Sequence, residues 1–158
     1  MGEGGIRGHP SLSVRHRADL RVDRWFRACI PSRVISQGLE HSPLDLSGLL
    51  VPVHLWDGPD LCYVKDTGRA IALLQLAETL NHRTYNVASG RVTTNADIIA
   101  AIHDVDPSVT LELPDGPSNP GNPLDIARLH HDTGYTPEYD TASAAADYIG
   151  WLRAGHDR

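Results

Sequence analysis

Cysteine occurs only at Cys29 and Cys62 in the 158 residues. Two are too few for a disulfide framework, and without a second pair they make no zinc site. Both read as reduced thiols. No apolar run is long enough to span a bilayer, and the first residues lack the apolar core of a signal peptide. The expectation is a soluble, cytoplasmic chain with no membrane partner. Histidine is plentiful, with nine copies, yet the adjacent His130 and His131 diverge on a helix and no His-Glu-x-x-His spacing occurs. No metal site is expected. Ser89 lacks the first glycine of a Gly-x-Ser-x-Gly elbow, which argues against a hydrolase nucleophile. Gly2, Gly4 and Gly8 have one residue too many in the second gap of a dinucleotide fingerprint, and no strand precedes them.

What is present is divided by charge. Residues 1–33 carry seven arginines against three acids, whereas residues 34–158 carry seven basic and seventeen acidic groups, a balance of −10. The arginines follow no helical face and are interleaved with Asp19 and Asp23, so a nucleic-acid-binding arm is not expected. Residues 1–50 read as an Arg-rich leader, poorly ordered or foreign to the rest of the chain. Thirteen of the fourteen basic residues are arginine, which fits a GC-rich coding region. With 11 prolines and 14 glycines, strong periodic segments are few, and one domain is the ceiling.

From residue 51 the pattern sharpens. "LCYV" (61–64) reads as a short strand, with Asp66 as the N-cap of a helix over 67–80 whose Ala70, Leu73, Leu74, Ala77 and Leu80 share one face. "HRTYNVASG" gives a strand through Tyr85 and Val87 and a Ser89-Gly90 turn. Thr94 or Asn95 then caps a helix with Ile98 and Ile102 four apart. "VTLEL" alternates as a strand ended by Pro114. "PDGPSNPGNP" is a loop. A short helix comes next, capped by Asp125 and stopped near Gly134. The terminal helix turns Ala145, Ile149 and Leu152 inward, and Trp151 reads as a packing residue. The order is β-α-β-α-β-loop-α-α, an α/β fold.

Taken together, "YVKDTGRAIALL", "YNVASGRVTTNADIIAAI" and "LDIARLHHDTGYTPEYDTASAAADYIGWLR" resemble the C-terminal third of the NAD-dependent epimerase/dehydratase family, the extended short-chain dehydrogenases/reductases. The resemblance runs from about residue 56 to 154. It implies a partial Rossmann-like fold in which residues 51–158 are the C-terminal, substrate-binding portion. The junction at 61–78 would then sit between two lobes.

The resemblance also shows what is missing. Family members carry a glycine-rich turn for the cofactor pyrophosphate and a Tyr-x-x-x-Lys pair for proton transfer. The residues four places after Tyr63, Tyr85, Tyr135, Tyr139 and Tyr148 are Thr67, Ser89, Tyr139, Ser143 and Leu152, and the only lysine is Lys65. NAD or NADP is implied by the family, with no evident means of holding it in this chain alone, so no catalytic or cofactor-binding residue is assigned. Pro59 stands where nucleotide-sugar enzymes often have an arginine, and "SNPGNP" replaces another. A smaller or uncharged carbonyl or hydroxyl compound is therefore an equal candidate substrate. Asp115, Asn119 and Asn122 are the candidate substrate-binding residues; the same residues also build Asx turns. The implied partners are a small-molecule substrate and either a missing Rossmann half or a second copy. The alternative is a non-enzymatic interaction module or a degenerate remnant.

Overall fold

The computed structural model describes residues 13–15, 35, 37–40, 52–118 and 120–156. Its elements are β1 (Ser13–Arg15), α1 (Val64–Leu76), β2 (Thr84–Asn86), α2 (Asn95–Val105), α3 (Ala127–Thr133) and α4 (Thr141–Arg153). The two strands pair in parallel, with Ser13 opposite Thr84, Val14 opposite Tyr85 and Arg15 opposite Asn86. α1 lies between them in the chain, as a parallel pair requires of its crossover. Ser13–Arg15 belong to the leader expected to be poorly ordered, but here they form part of the sheet.

Two apolar clusters hold these elements. Ala70 and Leu74 of α1 meet Tyr85, Val87, Leu129 and Tyr135, with Leu73 and Leu80 at the edge. Ile98 and Ile102 of α2 meet Ile149 of α4, Ile35, Val109 and Leu111. The periodic positions read from sequence are thus the ones that face inward. Thr94 caps α2 through a reciprocal box with Asp97, and Asp140 caps α4 in the same way with Ser143, each satisfying orphan amides of the first turn. Gly134 ends α3 in the left-handed region at φ 71°, where a Cβ would be strained.

Four local expectations are corrected. Residues 61–63 form no strand; Asp60 makes only an isolated antiparallel bridge to Val92. A β-prone run becomes a strand only beside a partner, and the ladder of β2 runs to β1. Along 109–113, Val109, Leu111 and Leu113 are buried while Thr110 and Glu112 are exposed. The alternation is therefore real, but it serves core packing without a ladder among the described residues. Helix α1 starts at Val64 and ends at Leu76, short of Leu80. The N-cap of α3 is Ile126, and Asp125 accepts from the Ala127 amide instead.

Asp66 is the largest departure. It lies inside the first turn of α1, and the N-cap is Tyr63, which makes no side-chain bond. The Asp66 carboxylate is buried, 2% exposed, and accepts from the amides of Glu138 and Tyr139 at 3.0 Å each. Arg69, one turn on, approaches it at 3.7 Å, pairs with Glu138 at 3.3 Å, donates to the Thr136 carbonyl and covers the Tyr135 ring at 5.2 Å. The Gly-Tyr-x-Pro segment is thereby fastened to α1. Asp66→Ala removes the buried acceptor of two half-buried amides and the anion beside Arg69, so urea unfolding should show a loss of about 2–3 kcal/mol. A simple cap would give about 1 kcal/mol.

Candidate functional site

Three loops, 54–60, 89–93 and 114–124, meet at one end of the molecule, and a single carboxylate joins them. Asp60 Oδ1 accepts from the Ser89 amide at 2.9 Å and from the Ser89 hydroxyl at 2.6 Å. Its Oδ2 accepts from the amides of Gly90 at 3.0 Å and Leu124 at 2.9 Å. Backbone contacts reinforce the junction. Leu55 N donates to Pro114 O, Thr93 N to Pro59 O and Gly121 N to Gly58 O, and Gly58 bridges Pro120. A Cβ on Gly58 would lie 2.1 Å from the Thr93 carbonyl oxygen, so only glycine lets the loops approach.

Two of the three candidate substrate residues, Asp115 and Asn122, sit on the rim of these loops. Asp115 and Asn122 are exposed near the two ends of the 114–123 loop, which docks on 54–60 at both ends. Asn119 lies outside the described residues. Ser118 donates to the Trp56 carbonyl at 3.1 Å, and Trp56 itself is 49% exposed. The rim offers carboxylate, carboxamide and hydroxyl groups that can hydrogen-bond a polar ligand.

The amides of Ser89 and Gly90, just past the end of β2, are the kind of paired donors that cradle a phosphate. They are already taken by Asp60. At this turn the amides are therefore not free to meet a dinucleotide pyrophosphate. No group of three or more metal-ligating side chains lies among them, and none of their helices is long and apolar enough to cross a membrane.

Three of the tyrosines, Tyr63, Tyr85 and Tyr135, are tied into structural bonds. Tyr63 donates to Asp147 Oδ2 at 2.6 Å, while Lys65 holds Oδ1 at 2.7 Å. Burial first, and then Asp147, push the Tyr63 phenol well above its ordinary range; Lys65, with Tyr63 second, lowers Asp147. Tyr135 is raised by burial and then by Cys62, whose sulfur lies 3.6 Å away, and its hydroxyl donates to the Ala88 carbonyl. Tyr85 donates to Asp132 at 2.5 Å, and Asp132 also accepts from the amide and side chain of Asn81 and pairs with His131. Burial and that bond raise Tyr85, while Tyr85, His131 and Asn81 lower Asp132.

The inward roles of Asp60, Asp66, Asp132 and Asp147 escaped the sequence. Nothing in a local pattern separates a turn aspartate from one that binds the amides of a distant segment.

No protein-family model matches the chain, and no curated protein matches it. Solved structures do. The enzyme WbmF from Bordetella bronchiseptica, in complex with NADH, is similar at TM-score 0.66 and 20% identity, over 83% of this chain and 38% of that one. UDP-glucuronic acid 4-epimerase from Bacillus cereus, in complex with UDP-glucuronic acid and NAD, matches at 0.57 and 23%, over 77% and 40%. dTDP-glucose 4,6-dehydratase from Bacillus anthracis, in complex with NAD, matches at 0.59 and 16%, over 78% and 38%. The chain has a partial extended short-chain dehydrogenase/reductase fold and spans about two fifths of these chains.

Two outcomes test the junctions. Asp132 has a depressed folded-state pKa, so its contribution is complete above the unfolded carboxylate value and is lost as pH falls. The stability gap between the parent and Asp132→Asn should be flat above about pH 5 and narrow below about pH 4 in urea titrations. Gly58→Ala should lower the melting temperature and shift the amide resonances of 114–124.

Proposed function

We propose that this chain is the C-terminal, substrate-binding portion of an NAD(P)-dependent epimerase, dehydratase or reductase, inactive alone. The observation that carries this is the shared fold with enzymes solved with NAD(H), over about two fifths of their length. The quoted segments support the C-terminal placement, since "YVKD" and "GYTP" are fastened together through Asp66 and Arg69.

In this reading NAD(P) supplies the hydride chemistry when bound, and a Rossmann half beyond the described residues holds it. The present chain binds and orients substrate at the rim of loops 54–60 and 114–123. Asp115 accepts from ligand hydroxyls, and Asn119 and Asn122 accept and donate. With Pro59 and "SNPGNP" in place of diphosphate-binding arginines, the rim suits a small or uncharged carbonyl or hydroxyl compound.

A second reading, a non-enzymatic interaction module, rests on one observation. Val64, Ile71 and Leu76 of α1 are 71%, 39% and 81% exposed.

Amide NMR with and without NAD tests the main reading. Dispersed peaks that do not move with NAD are expected. Peaks of 87–93 or 60–66 that shift on adding NAD would place cofactor binding in this chain and overturn the division of labour.

A further inference from the structure

The sequence holds two Asp-Gly pairs, Asp57-Gly58 and Asp115-Gly116, and proline follows each. Such a pair carries its own chemistry. The amide nitrogen of the glycine attacks Cγ of the aspartic side chain, which closes a five-membered succinimide ring and expels one water. Water then opens the ring at either carbonyl. One opening returns aspartate, and the other gives isoaspartate, in which the chain runs through the β-carbon and the α-carboxylate is left free. No other reactant is consumed. Glycine favours the closure because it has no Cβ to shield the nitrogen or restrict the backbone rotation.

Identical in local sequence, the two pairs differ in how they are held. The Asp57 carboxylate accepts from the His54 amide at 2.8 Å and lies 3.4 Å from His54 Nδ1. Its backbone is fixed on both sides, since Asp57 N donates to His54 O at 3.2 Å and Asn95 N donates to Asp57 O at 2.9 Å. Gly58 is buried. Ring closure there has to break these bonds first. Asp115 is exposed, and neither its carboxylate nor the Gly116 amide has a hydrogen-bond partner among the described residues.

The glycine at 116 is itself required. A Cβ there would collide with the His54 imidazole, so the packing that docks this loop on 54–60 also imposes the reactive pair. The flanks are pinned, because Leu55 N donates to Pro114 O at 3.0 Å and the Ser118 hydroxyl donates to Trp56 O at 3.1 Å. Isoaspartate inserts one backbone carbon between those two bonds and redirects the carboxylate.

We propose that Asp115 is the site at which this chain forms isoaspartate, and that Asp57, with the same neighbours in sequence, is protected by the fold. The proposal goes beyond the functional reading and does not depend on it.

The full chain is incubated at neutral pH in water enriched in oxygen-18, so that each ring opening places one heavy oxygen in the residue. Tandem mass spectrometry of the cleaved chain locates the label. A carboxyl methyltransferase specific for L-isoaspartyl residues, supplied with radiolabelled S-adenosylmethionine, reads the product. The native chain should label Asp115 faster than Asp57 by about tenfold or more, and Asp115→Ser should remove most of the methyl acceptance. In guanidinium chloride the two sites should label at similar rates, because both Asp-Gly-Pro sequences are then equally free. Absence of label at Asp115, equal labelling of the two sites in the native chain, or a native preference that persists undiminished after unfolding overturns the proposal, as does methyl acceptance by Asp115→Ser equal to the parent's.

Discussion

The Asp66 carboxylate, buried in the first turn of α1, is the constraint on which the rest of the described structure depends. A buried carboxylate is tolerable only when donors surround it, and here the donors come from 72 and 73 residues further along, at Glu138 and Tyr139. The N-terminal end of a helix is also where a negative charge is electrostatically favoured. One side chain thus fixes α1 against the segment that leads into α4, because Asp140, the cap of α4, is the next residue. Tyr63 and Lys65 make the second tie by holding Asp147 in the body of α4. Two attachments at different points along α4 set direction as well as distance.

Asp60 applies the same physics at the opposite end of the segment. Its two oxygens take four donors from the strand-end turn and from the loop that returns toward α3. An internal anion thereby occupies the amides that could otherwise have met an external one. The groups left facing outward, Asp115 and Asn122, belong to the loop that Asp60 and the Gly58 contacts hold in place. The rim is ordered by the half-buried Asp60 and the buried Gly58 beneath it.

Sequence pattern was legible where burial imposes a period on a single element. Ile98 and Ile102 of α2 and Ala145 and Ile149 of α4 are buried as their spacing requires, and of the two cap candidates for α2 it is Thr94 that caps the helix. Pattern failed where pairing decides. "LCYV" has the composition of a strand, but strand formation depends on a neighbour that composition does not supply. "VTLEL" alternates correctly and still makes no ladder among the described residues. The charge asymmetry of the first 33 residues obscured β1, since net charge reports on surface and solubility and says nothing of a three-residue backbone pairing. Asp115 and Asn122 lie exposed in the loop that its Pro/Gly/Asn composition predicts, whereas Asp60, which joins that loop to its neighbours, looks in sequence like any turn aspartate.

The three tyrosines that hold their protons most firmly bear on how chemistry would be divided in a complete enzyme. Proton transfer by a phenol near neutral pH needs a lowered pKa, usually from an adjacent cation and solvent access. Tyr63, Tyr85 and Tyr135 are pushed the opposite way, in each case first by burial and then by an acidic or thiol neighbour. The chain's one lysine is two residues from Tyr63, yet it is directed to Asp147 on the far side of the same hydrogen-bonded pair. It stabilises the acceptor and leaves the phenol protonated. These tyrosines act as donors that lock α1, β2 and the "GYTP" segment together, a role that would conflict with repeated deprotonation. Were the chain the substrate-binding portion proposed above, such bonds would suit a rigid rim and leave the proton and hydride steps to another part of the enzyme.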